Sequence, residues 1–401
     1  MRKKSIFVGT LGACILALAA SAAHAVADSV SVRAGVEGGY DSNVYRVDVG
    51  ELGKRGSWTF GLHPTVEWRP SAHFSLTYAG EAAFFLDENG EDHARHTVTL
   101  RYAEAGRFLL QSATTRVQGP RDAVLFADGR NAWATTLVRE RRDQWQNRTR
   151  VEGTVRRGDF FVRPSASLVY FDLDSRVRTG VPGYDNWTNR FDLQGGLDLG
   201  RELESGEIYV GWHRGRQHQG DQGGRPTTRS NKYHRLFLGF SGTPTEALTL
   251  DAEAGPSFHR YDDPASVGPS AIDAWYVNVR ARLRISDQDT VTANASMSKA
   301  VASTGLLSSE VRSFGAAYTR QWDDGSQLRV HGGARGLVYD GSLVKDWIYS
   351  AGIGWARDLG ENLRLNLDLV REEGRDDRDG PAVAAREFTR TIASARLDYR
   401  F

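Results

Sequence analysis

Three arginines alternate with apolar residues in one short segment, at Arg280, Arg282 and Arg284. A guanidinium group is always charged at neutral pH and binds carboxylates and phosphates through paired hydrogen bonds. If the segment is a β-strand, the three arginines and Tyr276 share one face, because successive side chains of a strand point to opposite sides. The pattern therefore predicts a positively charged stripe that can bind anions.

Motifs for catalysis are otherwise missing. The chain contains no GxSxG, HExxH, P-loop or dinucleotide-binding motif. Ser296 and Lys299 match the spacing of one nucleophile motif but lack its companion motifs, and the acidic residues at 87–92 lack the spacing of an EF-hand. The 51 basic residues are balanced by 50 acidic ones, so the chain lacks the excess of positive charge that is typical of proteins that bind nucleic acid. We expect no enzymatic activity, no cofactor, no metal site and no nucleic-acid partner.

The first 25 residues (1–25) have the pattern of a secretory signal peptide. Basic residues at 2–4 precede the apolar stretch 6–19, and the sequence at 23–25 fits the cleavage pattern. The single cysteine, Cys14, lies inside this segment. We expect a cleaved signal peptide followed by one exported domain, residues 26–401, without disulfides.

An alternation of apolar and polar residues recurs along the rest of the chain. Between Trp58 and Trp68 every second residue is apolar or aromatic, which is the period of a strand with one apolar face. These tryptophans lie ten residues apart, or about 25 Å of height after a tilt of about 40°. That height matches the apolar band between the two aromatic girdles of a bacterial outer-membrane β-barrel. The predicted lipid-interface aromatics are Trp58, Trp68, Trp347, Trp355, Tyr399 and Phe401.

The predicted fold is an all-β transmembrane antiparallel up-and-down barrel of about eighteen strands, with counts from sixteen to twenty left open. The strands are placed at 30–41, 57–69, 73–87, 93–103, 107–118, 144–156, 159–173, 186–201, 206–218, 231–243, 247–260, 273–286, 289–302, 309–322, 326–340, 345–358, 361–373 and 387–401. Short turns alternate with longer, charged connections, as expected for periplasmic turns and external loops. A soluble β-sandwich, which also alternates, is the alternative.

The polar faces of these strands are predicted to line the lumen. Candidate lumen residues are Arg280, Arg282, Arg284, Tyr276, Arg329, Arg335, Arg364, Asp368, Arg148 and Arg150. Two interpretations of the charges stay open: ion-pair ladders that stiffen a wet lumen, or a cationic stripe that selects anions. Inward aromatics, among them Phe161, Tyr209 and Phe237, are either stacking platforms for sugar rings or lumen packing.

The long segment 119–143 is a candidate constriction loop, with a solvated external loop as the alternative. Its candidate constriction residues are Asp122, Asp128, Arg130, Arg139 and Arg141. A stretch within it, 132–137, has the composition of a further strand.

The first predicted strand ends in Gly39-Tyr40-Asp41-Ser42-Asn43-Val44-Tyr45-Arg46. This resembles the G-Y-[DE]-[DS]-N-[VL]-[FY]-R opening of the β-barrel porin 2 family, which is similar to the outer-membrane barrels of exopolysaccharide loci. The resemblance implies an outer-membrane channel for polysaccharide export or secretion, with polysaccharide and periplasmic export components as partners.

A second function from another class remains open, a general or substrate-specific diffusion porin for small anionic or sugar solutes. An outer-membrane enzyme or adhesin is the third. In each case we expect outer-membrane lipid and lipopolysaccharide as surroundings. We also expect the barrel-assembly machinery to bind the C-terminal strand that ends at Phe401.

Overall fold

The computed structural model describes residues 29–44, 54–118, 143–173, 184–200, 205–219, 230–262, 271–301, 308–339, 345–376 and 387–401. Its strands form one sheet. They are β1 (Val30–Asp41), β2 (Ser57–Trp68), β3 (Phe74–Phe85), β4 (His93–Glu104), β5 (Phe108–Gln118), β6 (Gln144–Gly153), β7 (Val155–Arg157), β8 (Phe160–Leu173), β9 (Tyr184–Asp198), β10 (Ser205–Gln219), β11 (Asn231–Thr245), β12 (Leu248–Tyr261), β13 (Ala271–Arg284), β14 (Asp289–Val301), β15 (Ser308–Gln321), β16 (Gln327–Tyr339), β17 (Lys345–Asp358), β18 (Leu363–Asp376) and β19 (Phe388–Arg400). The described part also holds a short 3-10 helix, Asn89–Glu91, and no helix long and apolar enough to cross a membrane.

The sheet is a closed antiparallel barrel of eighteen strands. β6 and β7 are separated only at Thr154 and pair with the same neighbour, β8, so they are two parts of one barrel strand. The ladder closes where β1 pairs with β19, from Arg33 opposite Arg400 to Asp41 opposite Ile392. The predicted fold class and the count of eighteen are confirmed, and every predicted strand boundary lies within a few residues of the observed one. Closure matters because an open sheet edge in lipid would leave backbone groups without hydrogen-bond partners.

The two ends of the barrel differ in how their strands are connected. At one end, turns such as 105–107, 158–159 and 322–326 are short, and Gly106, Gly158 and Gly325 take φ values of +69°, +62° and +79°. The other end carries the longest connections, among them 42–56 and 119–143. Since short turns face the periplasm in outer-membrane barrels, we call the first end periplasmic and the second external.

No barrel strand lies between β5 and β6. The two strands pair directly, from Phe108 opposite Gly153 to Val117 opposite Gln144. A strand at 132–137 would have to separate them if it belonged to the barrel wall. The segment 119–142, with all five candidate constriction residues, lies outside the described residues, as does the predicted signal peptide.

The outer surface of the barrel is apolar and aromatic. Trp58 and Phe401 are about 60 % and 64 % exposed, and Trp68 and Tyr399 are exposed as well. Trp347 and Trp355 are half-buried. Trp347 lies over Gly336 and stacks on Tyr349 with ring centroids 6.1 Å apart. Large apolar side chains on such a surface are stable in lipid and costly in water. The position of these six aromatics at the lipid interface stays a prediction.

The motif at the end of β1 holds the first and last strands together, at the junction of β1 and β19 that we call the seam. Asp41 and Asn43 are almost fully buried. The Nδ2 of Asn43 donates a hydrogen bond to the Thr389 carbonyl at 3.0 Å, and the Asn43 backbone N–H donates to Asp41 Oδ1 at 3.0 Å. Arg390 of β19 pairs with Asp41 and lies 3.0 Å from Glu372 of β18. These described contacts assign the motif a role in barrel closure.

Candidate functional site

Four aromatic rings form a row across the lumen side of the sheet between β8 and β13. Phe161 of β8, Tyr209 of β10, Phe237 of β11 and Tyr276 of β13 follow one another with centroids 6.2–6.3 Å apart. All three contacts are edge-to-face, which is a favoured geometry for aromatic pairs. The first three side chains are almost fully buried, at 2 %, 6 % and 3 % exposure. They pack against one another, so for these three the structure favours lumen packing over sugar-stacking platforms.

Glycines on the neighbouring strand give these rings room to lie along the wall. Tyr209 is directly opposite Gly239, and Phe237 is directly opposite Gly211. A Cβ atom at Gly239 would lie 2.3 Å from the Tyr209 ring, and one at Gly211 would lie 2.0 Å from Phe237. Both distances are far below van der Waals contact. The rings therefore cover the backbone of the opposite strand instead of projecting across the lumen.

A buried ionic cluster adjoins the aromatic row. Asp192 of β9 accepts hydrogen bonds from Ser165 Oγ at 3.0 Å and Arg190 Nε at 2.8 Å, and its Oδ1 lies 2.9 Å from His213 Nε2. Arg235 Nη1 lies 3.5 Å from His213 Nδ1. Because arginine only donates, Nδ1 is the acceptor and Nε2 carries the hydrogen that faces Asp192. One carboxylate thus holds three side chains from three strands.

A second carboxylate joins side chains of the same region. Glu253 of β12 accepts hydrogen bonds from the hydroxyls of Tyr209 at 3.0 Å and Tyr276 at 2.8 Å. The guanidinium carbon of Arg235 lies 3.7 Å from the centre of the Tyr276 ring, which is a close cation-π contact.

Nearer the periplasmic end, Glu207 of β10 pairs with Arg156 and with Arg163, the latter at 2.7 Å. We call the lumen-facing side chains of β8 to β12, together with Tyr276, the packed wall.

The lumen face from β13 to β16 is built differently. Its charged residues are Arg280, Arg282, Arg284, Arg329 and Arg335, which we call the arginine wall. All five side chains are exposed. Their cross-strand neighbours are small, since Thr290, Thr292 and Asn294 of β14 lie opposite the three arginines of β13.

The arginine wall is not neutralised by its own strands. Among the described residues of β13 to β16, no inward-facing side chain is an aspartate or glutamate. None of the five arginines has a carboxylate within 4.0 Å in the described part of the chain. Asp251 of β12 is directly opposite Arg280 and accepts a hydrogen bond from Ser241. These arginines therefore keep donors that can bind a solute.

The remaining predicted lumen residues face inward, and two of them belong to local ion pairs. Arg150 pairs with Glu152, and Arg364 lies 2.9 Å from Asp358. Arg148 is exposed on the same face of β6 as Arg150. Asp368 lies beside Gly354 of β17, where a Cβ atom would meet its Oδ1 at 2.5 Å. Ion pairs thus occupy one part of the lumen wall, and arginines without a carboxylate partner among the described residues occupy another.

Four residues of this region are not among those predicted from the sequence: His213, Arg235, Glu207 and Arg163. Strand parity carries a signal for them, because Arg235 lies between Tyr233 and Phe237 on one face, and Glu207 shares a face with Tyr209. Parity gives the face of each residue but not its partner on another strand.

Comparison with solved structures finds other barrels of similar length. The outer membrane protein OpdK from Pseudomonas aeruginosa is 14 % identical over 93 % of this chain and 100 % of its own, with a TM-score of 0.49. OccK2 (OpdF) from the same organism is 12 % identical over 93 % of this chain and 98 % of its own, also with a TM-score of 0.49. The siderophore receptor PirA from P. aeruginosa is 9 % identical over 92 % and 80 %, with a TM-score of 0.43.

No family model matches the chain, and no curated protein matches it. Its class follows from its own geometry: a closed antiparallel barrel of eighteen strands, an apolar outer surface with exposed tryptophans, and a charged inner surface. This chain is an outer-membrane β-barrel.

Proposed function

We propose that the barrel is a passive diffusion channel that favours small anionic solutes, the second of the three functions left open by the sequence. One observation carries the proposal: the arginine wall presents five exposed guanidinium groups, with no inward carboxylate on the described residues of the same four strands.

The packed wall uses its carboxylates mainly within itself. Asp192 pairs with Arg190, and Glu207 pairs with Arg163 and with Arg156 of β7. Asp251 is directly opposite Arg280 and accepts a hydrogen bond from Ser241. A lumen with low-dielectric walls concentrates the potential of unmatched charges and raises the local concentration of counter-ions. Rings or rows of arginine are a known basis for anion selection in pores.

The test is a reversal-potential measurement on the purified barrel in planar bilayers with a gradient of potassium chloride. The wild-type channel should prefer chloride over potassium. The triple variant Arg280→Ser, Arg282→Ser, Arg284→Ser should lower that preference by at least about twofold, because it removes three of the five unmatched charges. Block by a small aromatic carboxylate should weaken in parallel.

A matched control removes the same amount of charge from the outside of the barrel. Arg214, Arg216 and Lys232 face outward on β10 and β11, so their replacement by Gln should leave the reversal potential unchanged. An unchanged preference in the serine variant, or an equal loss in the control, would contradict the proposal.

Polysaccharide export, which the sequence resemblance implies, has the motif at the end of β1 as its support. The described atoms of that motif hold the seam between β1 and β19, and this role is the same for any cargo. A strain lacking the gene separates the two functions. Loss of surface polysaccharide with no change in uptake of small anions would favour export, and the reverse result would favour diffusion.

A further inference from the structure

Cations also lie on the outside of the barrel, in a row across three neighbouring strands. Arg216 of β10 is directly opposite Lys232 of β11, and Lys232 is directly opposite Arg260 of β12. Arg214 and His234 form a second row, one outward-facing position closer to the membrane. All five side chains are exposed. They belong to the opposite face of the sheet from the packed wall, because they alternate with buried Tyr233 and Arg235.

These outward cations are only partly compensated. Arg216 lies 3.6 Å from Asp262, and Arg260 lies 3.3 Å from Asp273. Lys232 and Arg214 have no carboxylate within 4.0 Å among the described residues. Like charges directly opposite each other on neighbouring strands destabilise a sheet. An anion that bridges the row would remove this repulsion.

The depth of the row corresponds to the membrane surface. Phe191 is directly opposite Arg214, and Trp212 occupies the next outward position of β10 toward the membrane. Trp212 stacks on His234 with centroids 6.1 Å apart. Aromatic rings of this kind lie at the level of lipid headgroups. The row is at the external ends of β10 and β11, next to the connection 220–230. A charge is costly at the bilayer midplane and tolerated at this depth.

A groove connects the cations to an apolar surface. Its volume is about 630 Å³, and it runs over the outer faces of β6 and β8 to β11. One side is lined by Val151, Leu168 and Phe191, and the other by Arg214, Arg216, Lys232 and His234. A free phosphate would use only the second side. A molecule with a phosphorylated head and an acyl chain would use both.

We propose that this groove binds lipopolysaccharide of the outer leaflet, with a lipid A phosphate held by Arg214, Arg216 and Lys232 and an acyl chain along Val151, Leu168 and Phe191. The inference concerns the outer face of the barrel and is independent of what passes through the lumen. It gives the row of like charges a partner that the membrane itself supplies.

The test is a titration of the full-length mature barrel in detergent, followed by native mass spectrometry. The probes are lipid A with both phosphates and the same lipid A after enzymatic removal of the phosphates. We expect the phosphorylated form to bind the wild type about 100-fold more tightly, at about fivefold for each of the three cations. The variant Arg214→Gln, Arg216→Gln, Lys232→Gln should bind both forms equally weakly.

Two outward arginines of the external end serve as matched controls. Arg312 and Arg375 face lipid but already pair with Glu310 and Glu373, so Arg312→Gln with Arg375→Gln should retain tight binding. The lumen variant Arg280→Ser, Arg282→Ser, Arg284→Ser should retain it too. An unchanged thermal unfolding temperature of each variant without lipid shows that the barrel is intact.

Three results would overturn the proposal. The first is equal binding of phosphorylated and dephosphorylated lipid A by the wild type. The second is binding of inorganic phosphate or of phosphatidylglycerol to the wild type as tight as that of phosphorylated lipid A. Tight binding of phosphate would indicate a simple anion site, and tight binding of phosphatidylglycerol would indicate an unspecific lipid surface. The third is tight binding of phosphorylated lipid A by the triple glutamine variant.

Discussion

The packed wall and the arginine wall border the same lumen, but they use charged residues in different ways. In the packed wall, Asp192 alone contacts Ser165, Arg190 and His213, and the aromatic rings lie flat over glycines. In the arginine wall, the neighbours of the arginines are threonine and asparagine, and the guanidinium groups stay exposed. The comparison separates charges that hold the barrel together from charges that are free to act on a solute.

The largest expected effect is on stability, at the centre of the packed wall. Asp192→Ala should lower the free energy of unfolding by about 3 to 5 kcal/mol, because it leaves His213 and Arg190 without their shared acceptor. Arg282→Ala in the arginine wall should change it by no more than about 0.5 kcal/mol. Urea unfolding of the barrel in lipid vesicles, followed by tryptophan fluorescence, measures both. Equal losses would show that the two walls do not differ in this way.

A smaller effect is expected where a glycine accommodates a ring. Gly239→Ala should cost about 1 to 3 kcal/mol, because the new Cβ would lie 2.3 Å from the Tyr209 ring and displace it toward the lumen. Single-channel conductance should fall in the same variant. Gly38→Ala is the control, since a Cβ atom there meets nothing within 4 Å. A stable Gly239→Ala barrel with normal conductance would mean that the ring does not depend on this space.

The smallest expected effect is the dependence of the anion preference on ionic strength, which only the exposed charges of the arginine wall should produce. The anion preference of the wild type should decline as potassium chloride rises from 0.1 to 1 M, because the screening length falls from about 10 Å to about 3 Å. The barrel with Lys at positions 280, 282 and 284 should behave almost as the wild type, since it keeps the charges. The serine variant should show little salt dependence. Reversal potentials at three salt concentrations measure this, and a wild-type preference that is independent of salt would exclude an exposed charge as its origin.

The candidate site was only partly predictable from the sequence. Arg280, Arg282 and Arg284 were found from parity, because every second position of a spanning strand must be compatible with lipid and the others face the lumen. Parity also assigned Phe161, Tyr209 and Phe237 inward, but their mutual burial depends on which strands are neighbours and in which register. The ion pair between Asp41 and Arg390 joins residues 349 positions apart, and neither the pairing nor its burial is visible in the local sequence pattern.

The amino-acid sequence by itself determined the class of fold, the number of strands to between sixteen and twenty, and the alternation of inward and outward side chains along each strand. The reason is that the period of two is a local property, tested at each strand by lipid on one side and water on the other. Only the tertiary structure decided which charges are matched. Strand register places Glu207 against Arg156 and Arg163, and it places small polar residues against Arg280, Arg282 and Arg284. The same residue type therefore stabilises one wall and remains available to a solute on the other.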